Sequence, residues 1–178
     1  MVILTIGVNH LSINRKQLIL DAATKSFTQF GYKATTMDHV SRLANVGKGT
    51  IYTFYKNKEE LFSEIIEGLL FDMKEVAESA FDPQFPFLEN VHRALYSILD
   101  FRKTHQLTIK IFQESNELGT PTVNQGVQKM EEMVLNYIKQ KIIVAIDNKD
   151  IKPCDPELTS FILLKLYVSL IFDWEKQH

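Results

Sequence analysis

The stretch Thr35–Leu61, TTMDHVSRLANVGKGTIYTFYKNKEEL, constrains this chain more than any other part of it. Its apolar residues recur at helical spacing in short runs separated by tight turns. Thr36 suits an N-cap, and Met37, Val40, Leu43 and Ala44 then form the inner face of a helix over about 37–44. His39 stands where a full capping box would place Glu or Gln. Asn45 supplies the turn, because asparagine tolerates positive φ better than any other residue except glycine. Val46 plugs the angle, and a second helix over about 48–54 turns Ile51 and Tyr55 inward. Asn57 and Glu60 make a capping box that starts a third helix. Helix, turn, helix is the arrangement this pattern predicts.

The outward face of the second helix is then Lys48, Gly49, Thr50, Tyr52, Thr53 and Phe54. It is small at its start, then hydroxylated, with a basic residue at its head. Small residues let a backbone approach DNA, and a helix N-terminus offers N–H groups to a phosphate. Lys48 and Lys58 suit phosphates, each neutralised phosphate adding about −0.9 to the salt slope of binding. Thr50 and Thr53 suit base sensing, for instance of a thymine methyl. A DNA-reading head is the function these residues predict.

Charge agrees with that reading. Residues 1–60 carry eight Lys or Arg against four Asp or Glu; the remainder carries twelve against eighteen. A basic N-terminal third on an acidic body is the electrostatic outline of a DNA-binding head on a non-binding body. A single cysteine, Cys154, excludes an internal disulfide framework and a multi-cysteine metal site and suits a reducing cytosol. The opening MVILTIGVNHLSI lacks the positive start of a secretory signal and is expected to be a flexible arm.

The rest of the chain reads as helices. Helix one is expected over about 14–30, with Ile19, Ala22, Ala23, Phe27 and Phe30 inward and Gly31 as a left-handed C-cap. The helix begun at Asn57 should run to about residue 80, where Asp82-Pro83 and Pro86 break it. Further helices are expected over about 88–103, 105–118 and 123–148, with Gly119 and Pro121 closing the middle one. The last, from about Pro156, contains FILLKLYVSLIFDW at Phe161–Trp174, in which eleven of fourteen residues are apolar. Fourteen residues span about 21 Å, short of a bilayer core of about 30 Å. Such a helix should be buried on nearly all sides, as core on one and subunit interface on another, with no membrane partner.

Residues 15–62 resemble the N-terminal domain of the TetR family of bacterial transcriptional regulators. The resemblance is carried by Ile19, Ala22-Ala23, Phe27, Gly31-Tyr32, Thr35-Thr36, Gly49-Thr50-Ile51-Tyr52 and Lys58-Glu59-Glu60-Leu61 at fixed spacing. Asn45 stands where the family commonly has Gly, Gly47 where it has a capping Ser, and Phe54-Tyr55 where it has His or Tyr and then Phe. The resemblance implies an all-α protein: a three-helix head over 12–60 and a helical ligand-binding and dimerisation body over 61–178. It implies a homodimer that sits on a palindromic double-stranded DNA operator, usually as a repressor, and leaves when a small effector binds the body. DNA contacts carried over by position are Thr36, Met37, Gly47, Lys48, Gly49, Thr50, Tyr52, Thr53 and Lys58. The family also has one more helix beyond the apolar one. Either the sequence given is cut short, or dimerisation relies on Phe161–Trp174 alone, with Phe161, Leu164, Val168, Ile171, Phe172 and Trp174 at the interface.

An effector cavity would be largely apolar with a few polar groups. Tyr96, Phe101, Phe112, Gln113, Asn116, Met130, Met133 and Tyr137 are the candidate lining. Glu114 and Glu117 would favour a cation, Arg93, Arg102 and Lys110 an anion, and the sequence does not choose. His39, His92 and His105 lack metal-ligand spacing, and neither a cofactor nor an enzymatic nucleophile–base arrangement is expected. The competing reading is a ligand-independent DNA organiser or adaptor on the same fold. The expected location is the cytoplasm.

Overall fold

The computed structural model describes residues 3–169, with side chains from Arg15 onward. The described residues form eight helices and no strand: α1 Ile3–Ala34, α2 Met37–Leu43, α3 Lys48–Phe54, α4 Lys58–Ser79, α5 Phe87–Thr104, α6 Leu107–Leu118, α7 Pro121–Asp147 and α8 Pro156–Ser169. They fall into two compact units. The first holds the residues up to Gly68 together with Gln106–Gly126; the second holds Leu69–His105 and the described residues from Val127 on.

The first unit is built on α1. Ile19, Ala22, Ala23, Ser26 and Phe27 are buried at the three- and four-residue spacing of one helix face. Phe27, Tyr32 and Phe62 close an aromatic cluster, with ring centroids 4.8–5.7 Å apart. Such contacts add about 0.5–1.5 kcal/mol each beyond area burial. Helical geometry stops at Gly31, where φ 81 and ψ 168 lie in a region essentially reserved for glycine. Two expectations change here. The helix begins at Ile3, where an arm was expected, because the apolar run continues the helical period although no capping residue announces it. Phe30 is exposed and sets its ring edge-on to His39, 5.4 Å between centroids.

In α2, Met37, Val40, Ser41 and Ala44 are buried, whereas Leu43 is exposed. Ser41 occupies the inward position because its hydroxyl is satisfied by the Asp38 carbonyl at 3.0 Å. Asn45 has φ 53, the positive value its turn requires. The box at α4 is shifted by one residue: the Glu60 amide donates to Asn57 Oδ1 at 2.8 Å, and the Glu60 carboxylate accepts from the Lys56 amide rather than that of Asn57. Leu61, Phe62, Ile65 and Ile66 follow as the buried face of α4. Pro121 opens α7 instead of closing α6, as its fixed φ and missing donor suit the first helical position. A Cβ on Gly126 would meet the Phe62 ring at 3.1 Å, so this residue is small where α7 lies on the aromatic cluster.

In the second unit, buried Asn90 stitches the α4–α5 connection. Its side chain accepts from the Asp82 amide at 2.8 Å and donates to the Asp82 and Phe85 carbonyls at 2.9 and 3.1 Å. Arg93 Nε donates to the Ala80 carbonyl at 3.1 Å. Lys141 pairs with Glu78 at 2.7 Å and lies over the Phe81 ring. Phe101, Met130, Ile142, Ala145 and Leu164 are core. The burial expected all around the last helix is absent in the single chain: only Ser160 and Leu164 of α8 are buried, and Leu158, Phe161, Ile162 and Leu166 are about half exposed. Ile171, Phe172 and Trp174 lie outside the described residues. No described helix is long and apolar enough to cross a membrane.

Burial raises the phenols of Tyr32, Tyr55 and Tyr137 above their ordinary value, Tyr32 to about 12, and the nearby Glu59, Glu64 and Glu78 act in the same direction. The folded chain therefore keeps protons that an unfolded chain releases near pH 10. Their stabilisation is complete below about pH 10 and is lost as pH rises through the folded values. Urea midpoints should fall steadily from about pH 10 to pH 12; a flat profile would contradict this.

Candidate nucleic-acid interface

Helix α3 is pinned from within by Ile51 and Tyr55, both fully buried. Its opposite side is left to solvent. Lys48, Gly49, Tyr52 and Thr53 are exposed, with Thr50 and Phe54 half-buried between them. Gly47 is the N-cap and makes no side-chain cap bond, so the first turn of α3 opens on exposed residues. The Thr53 hydroxyl donates to the Thr50 carbonyl at 2.7 Å, which fixes the side chain's position. Lys48 pairs with Asp38 of α2 at 2.9 Å, and that carboxylate raises the Lys48 ammonium above its ordinary value. Both partners are more than half exposed, so the contact is a weak surface pair that a phosphate can displace.

Thr36 is exposed at the start of α2, where its hydroxyl accepts from the His39 amide at 3.2 Å. Two residues placed at the DNA by sequence are committed to the protein itself. The Met37 side chain is 8% exposed and belongs to the core, which leaves the helix-opening backbone as its only outward part. Half-buried Lys58 donates to the Tyr32 and Thr35 carbonyls at 2.8 and 2.9 Å and lies 4.2 Å from the Tyr32 ring centroid. Burial lowers its ammonium below the ordinary value, against the pull of Glu59.

The connection between α1 and α2 that Lys58 grips was read from sequence as a cap alone. Glu114 of α6 grips it too, accepting from the Tyr32 amide at 2.6 Å and the Lys33 amide at 2.9 Å. The Tyr32 hydroxyl donates to Glu59 at 2.8 Å, and the buried Thr35 hydroxyl bridges Ser26 and the Gly31 carbonyl. Only the glycine is a local signal; the charged partners Lys58, Glu59 and Glu114 lie 23 to 82 positions away in sequence.

The candidate effector-lining residues divide between the two units. Phe112 and Gln113 are half-buried in the first, and Phe101, Met130 and Tyr137 are buried or half-buried in the second. Tyr96, Met133 and Asn116 are exposed, on the outer sides of helices whose other faces are core. Among the described residues no group of His, Cys, Asp or Glu could hold a metal ion.

Residues 19–65, which span this helix-turn-helix, match the family described as bacterial regulatory proteins, tetR family. The uncharacterised HTH-type transcriptional regulator YhgD of Bacillus subtilis (strain 168) is 69% identical over 168 residues, covering 94% of this chain and 88% of its own. The chain belongs to the TetR family of bacterial transcriptional regulators. This TetR-family regulator is also similar to the HTH-type transcriptional regulator AcrR of Shigella flexneri, at 31% identity over 64% of this chain and 55% of the relative. The fatty acid degradation regulator FadR from Bacillus halodurans shares the fold, with a TM-score of 0.76, 14% identity and coverage of 92% of this chain and 85% of that one. DNA binding and an all-helical architecture follow from membership.

Proposed function

We propose that this regulator is a repressor that binds a palindromic operator as a homodimer and is released by a small, largely apolar effector held in its C-terminal body. The exposed face of α3 supports this most strongly: a basic, hydroxylated and aromatic surface on a helix whose inner side, Ile51 and Tyr55, is fully buried. Lys48, Gly47, Gly49 and the Thr36 hydroxyl position the head on phosphates, Thr50, Thr53 and Tyr52 reach toward base edges, and Met37 contributes through its backbone. Lys58 gives two of its three donors to backbone carbonyls and contributes to phosphate binding with the third.

One such face is small, so specificity needs a second copy. Leu158, Phe161, Ile162 and Leu166 recur at three- and four-residue spacing on α8 and are about half exposed in one chain. Burying an apolar side chain fully is worth about 1.5–3 kcal/mol, so a second chain laid on this face removes a standing penalty. Two-fold symmetry of the dimer then calls for an inverted repeat in the DNA. Phe101, Met130 and Tyr137 supply apolar lining with a phenol for an effector in the second unit.

Selection from a library of duplexes with a randomised core tests this directly. The protein should enrich an inverted repeat, and an apolar compound that raises its melting temperature should release that duplex. Enrichment of a sequence without dyad symmetry would contradict the dimeric operator complex. A stabilising compound that leaves DNA affinity unchanged would contradict the effector response.

A further inference from the structure

The segment Gly31–Thr35, which carries α1 into the helix-turn-helix, is held by two opposite charges. Its amide donors at Tyr32 and Lys33 point to the Glu114 carboxylate, at 2.6 and 2.9 Å. Its carbonyl acceptors at Tyr32 and Thr35 take the Lys58 ammonium, at 2.8 and 2.9 Å. Glu114 is 5% exposed, and the Thr120 hydroxyl donates to it at 3.3 Å. Gly31 makes room: a Cβ there would meet Glu114 Oε2 at 2.6 Å, and its φ of 81 already suits glycine alone.

A buried carboxylate is an expensive way to fill a helix face. Leu107 and Ile111 of α6 are buried by packing alone, and a leucine at 114 would fill space equally well. It would take away the acceptor that both amides share, though, and leave the segment held from the Lys58 side alone. Fully satisfied buried polar groups fix one geometry where apolar contacts tolerate several. The two charges therefore define a direction. We propose that Glu114 is a positioning residue for operator binding: with Lys58 it sets the pitch of the Gly31–Thr35 elbow, and so the angle at which α2 and α3 meet DNA. This rests on the operator reading given above. Glu114 is thus committed inside the first unit and is withdrawn from the acidic groups that sequence offered to a cationic effector.

Glu114→Gln keeps the shape of the side chain but turns one acceptor into a donor facing an amide. The probes are the duplex that the wild-type protein enriches most strongly and a scrambled duplex of the same composition, read by fluorescence anisotropy. E114Q should unfold cooperatively, shift the Tyr32 and Lys33 amide resonances, and lose about tenfold or more in affinity for the selected duplex. Affinity for the scrambled duplex should stay within about twofold, because the charges that bind DNA non-specifically are untouched. A folded E114Q that binds the selected duplex as wild type does overturns the proposal, and so does an equal loss on both duplexes. Should E114Q fail to fold, Glu114→Asp decides: one methylene shorter, it cannot reach both amides, and the same selective loss is expected. If neither variant folds, Glu114 is a requirement of the fold and the proposal is wrong. K48A/Y52A separates the two levels. If that double variant binds the selected duplex like wild type, the operator reading fails and the role of Glu114 goes with it. If it loses binding while E114Q does not, only the role of Glu114 fails.

Discussion

Lys48→Ala combined with Tyr52→Ala should weaken operator binding on the order of a hundredfold while leaving thermal unfolding essentially unchanged. Neither side chain supports the fold. Lys48 has a side chain 65% exposed and pairs with Asp38 at the surface, and Tyr52 is 45% exposed. At the DNA both matter twice, once in each head. Removing Lys48 also strips Asp38 of its counter-charge, so a carboxylate faces the phosphates where an ion pair stood. The dependence of log affinity on log salt should become shallower by about 1.8, at about 0.9 for each of two lost phosphate contacts. Anisotropy titrations at several salt concentrations measure both quantities. An unchanged slope would mean that Lys48 does not reach a phosphate, even if affinity fell.

The second large effect is expected at α8. Ile162→Asp with Leu166→Asp places two carboxylates on an apolar face while sparing Leu164 and Ser160, the residues of α8 that are buried within the chain. The variant should keep its helical content and sediment as a monomer. A single head then binds as a non-specific site does, with a Kd of about 10⁻⁴–10⁻⁶ M at physiological salt. Selection for the inverted repeat should vanish with the dimer. A variant that still sediments as a dimer would place the interface on another surface.

Much of the head was legible because its signals are local. A cap at Thr36, a turn residue at Asn45, a box at Asn57 and Glu60, and a glycine at position 31 each act within a few residues of themselves, and the structure places a helix end or turn at each. Helix ends at Ser79, Leu118 and Asp147 were legible for the same reason, from Asp82-Pro83, Gly119 and the loop before Pro156. Periodicity was weaker at the edge of an apolar stripe. Phe30 and Leu43 fit the inward spacing yet lie on the surface, and Ser41 is inside because a hydroxyl can satisfy itself on the preceding turn.

What could not be read were contacts distant in sequence. Lys58 looks like any exposed lysine before an acidic pair, and nothing near it announces the carbonyls of Tyr32 and Thr35. Glu114 looks like a polar residue on an inward helix, and the amides it accepts belong to a segment more than eighty residues earlier. The same non-locality brings α6 into the first compact unit, far along the chain from the helices it joins. The exposed face of α8 shows the converse: its composition reads as buried, and one chain alone does not bury it.

Dimethyl sulfate protection of the selected duplex tests most directly the proposal that two α3 faces reach base edges of one inverted repeat, from the major-groove side. The reagent attacks guanine N7, which lies on the major-groove edge. Wild-type protein should protect guanines in two patches related by the dyad, with centres about 34–36 Å apart or a multiple of that, and K48A/Y52A should protect neither. Full reactivity of guanine N7 under saturating wild-type protein would contradict that proposal.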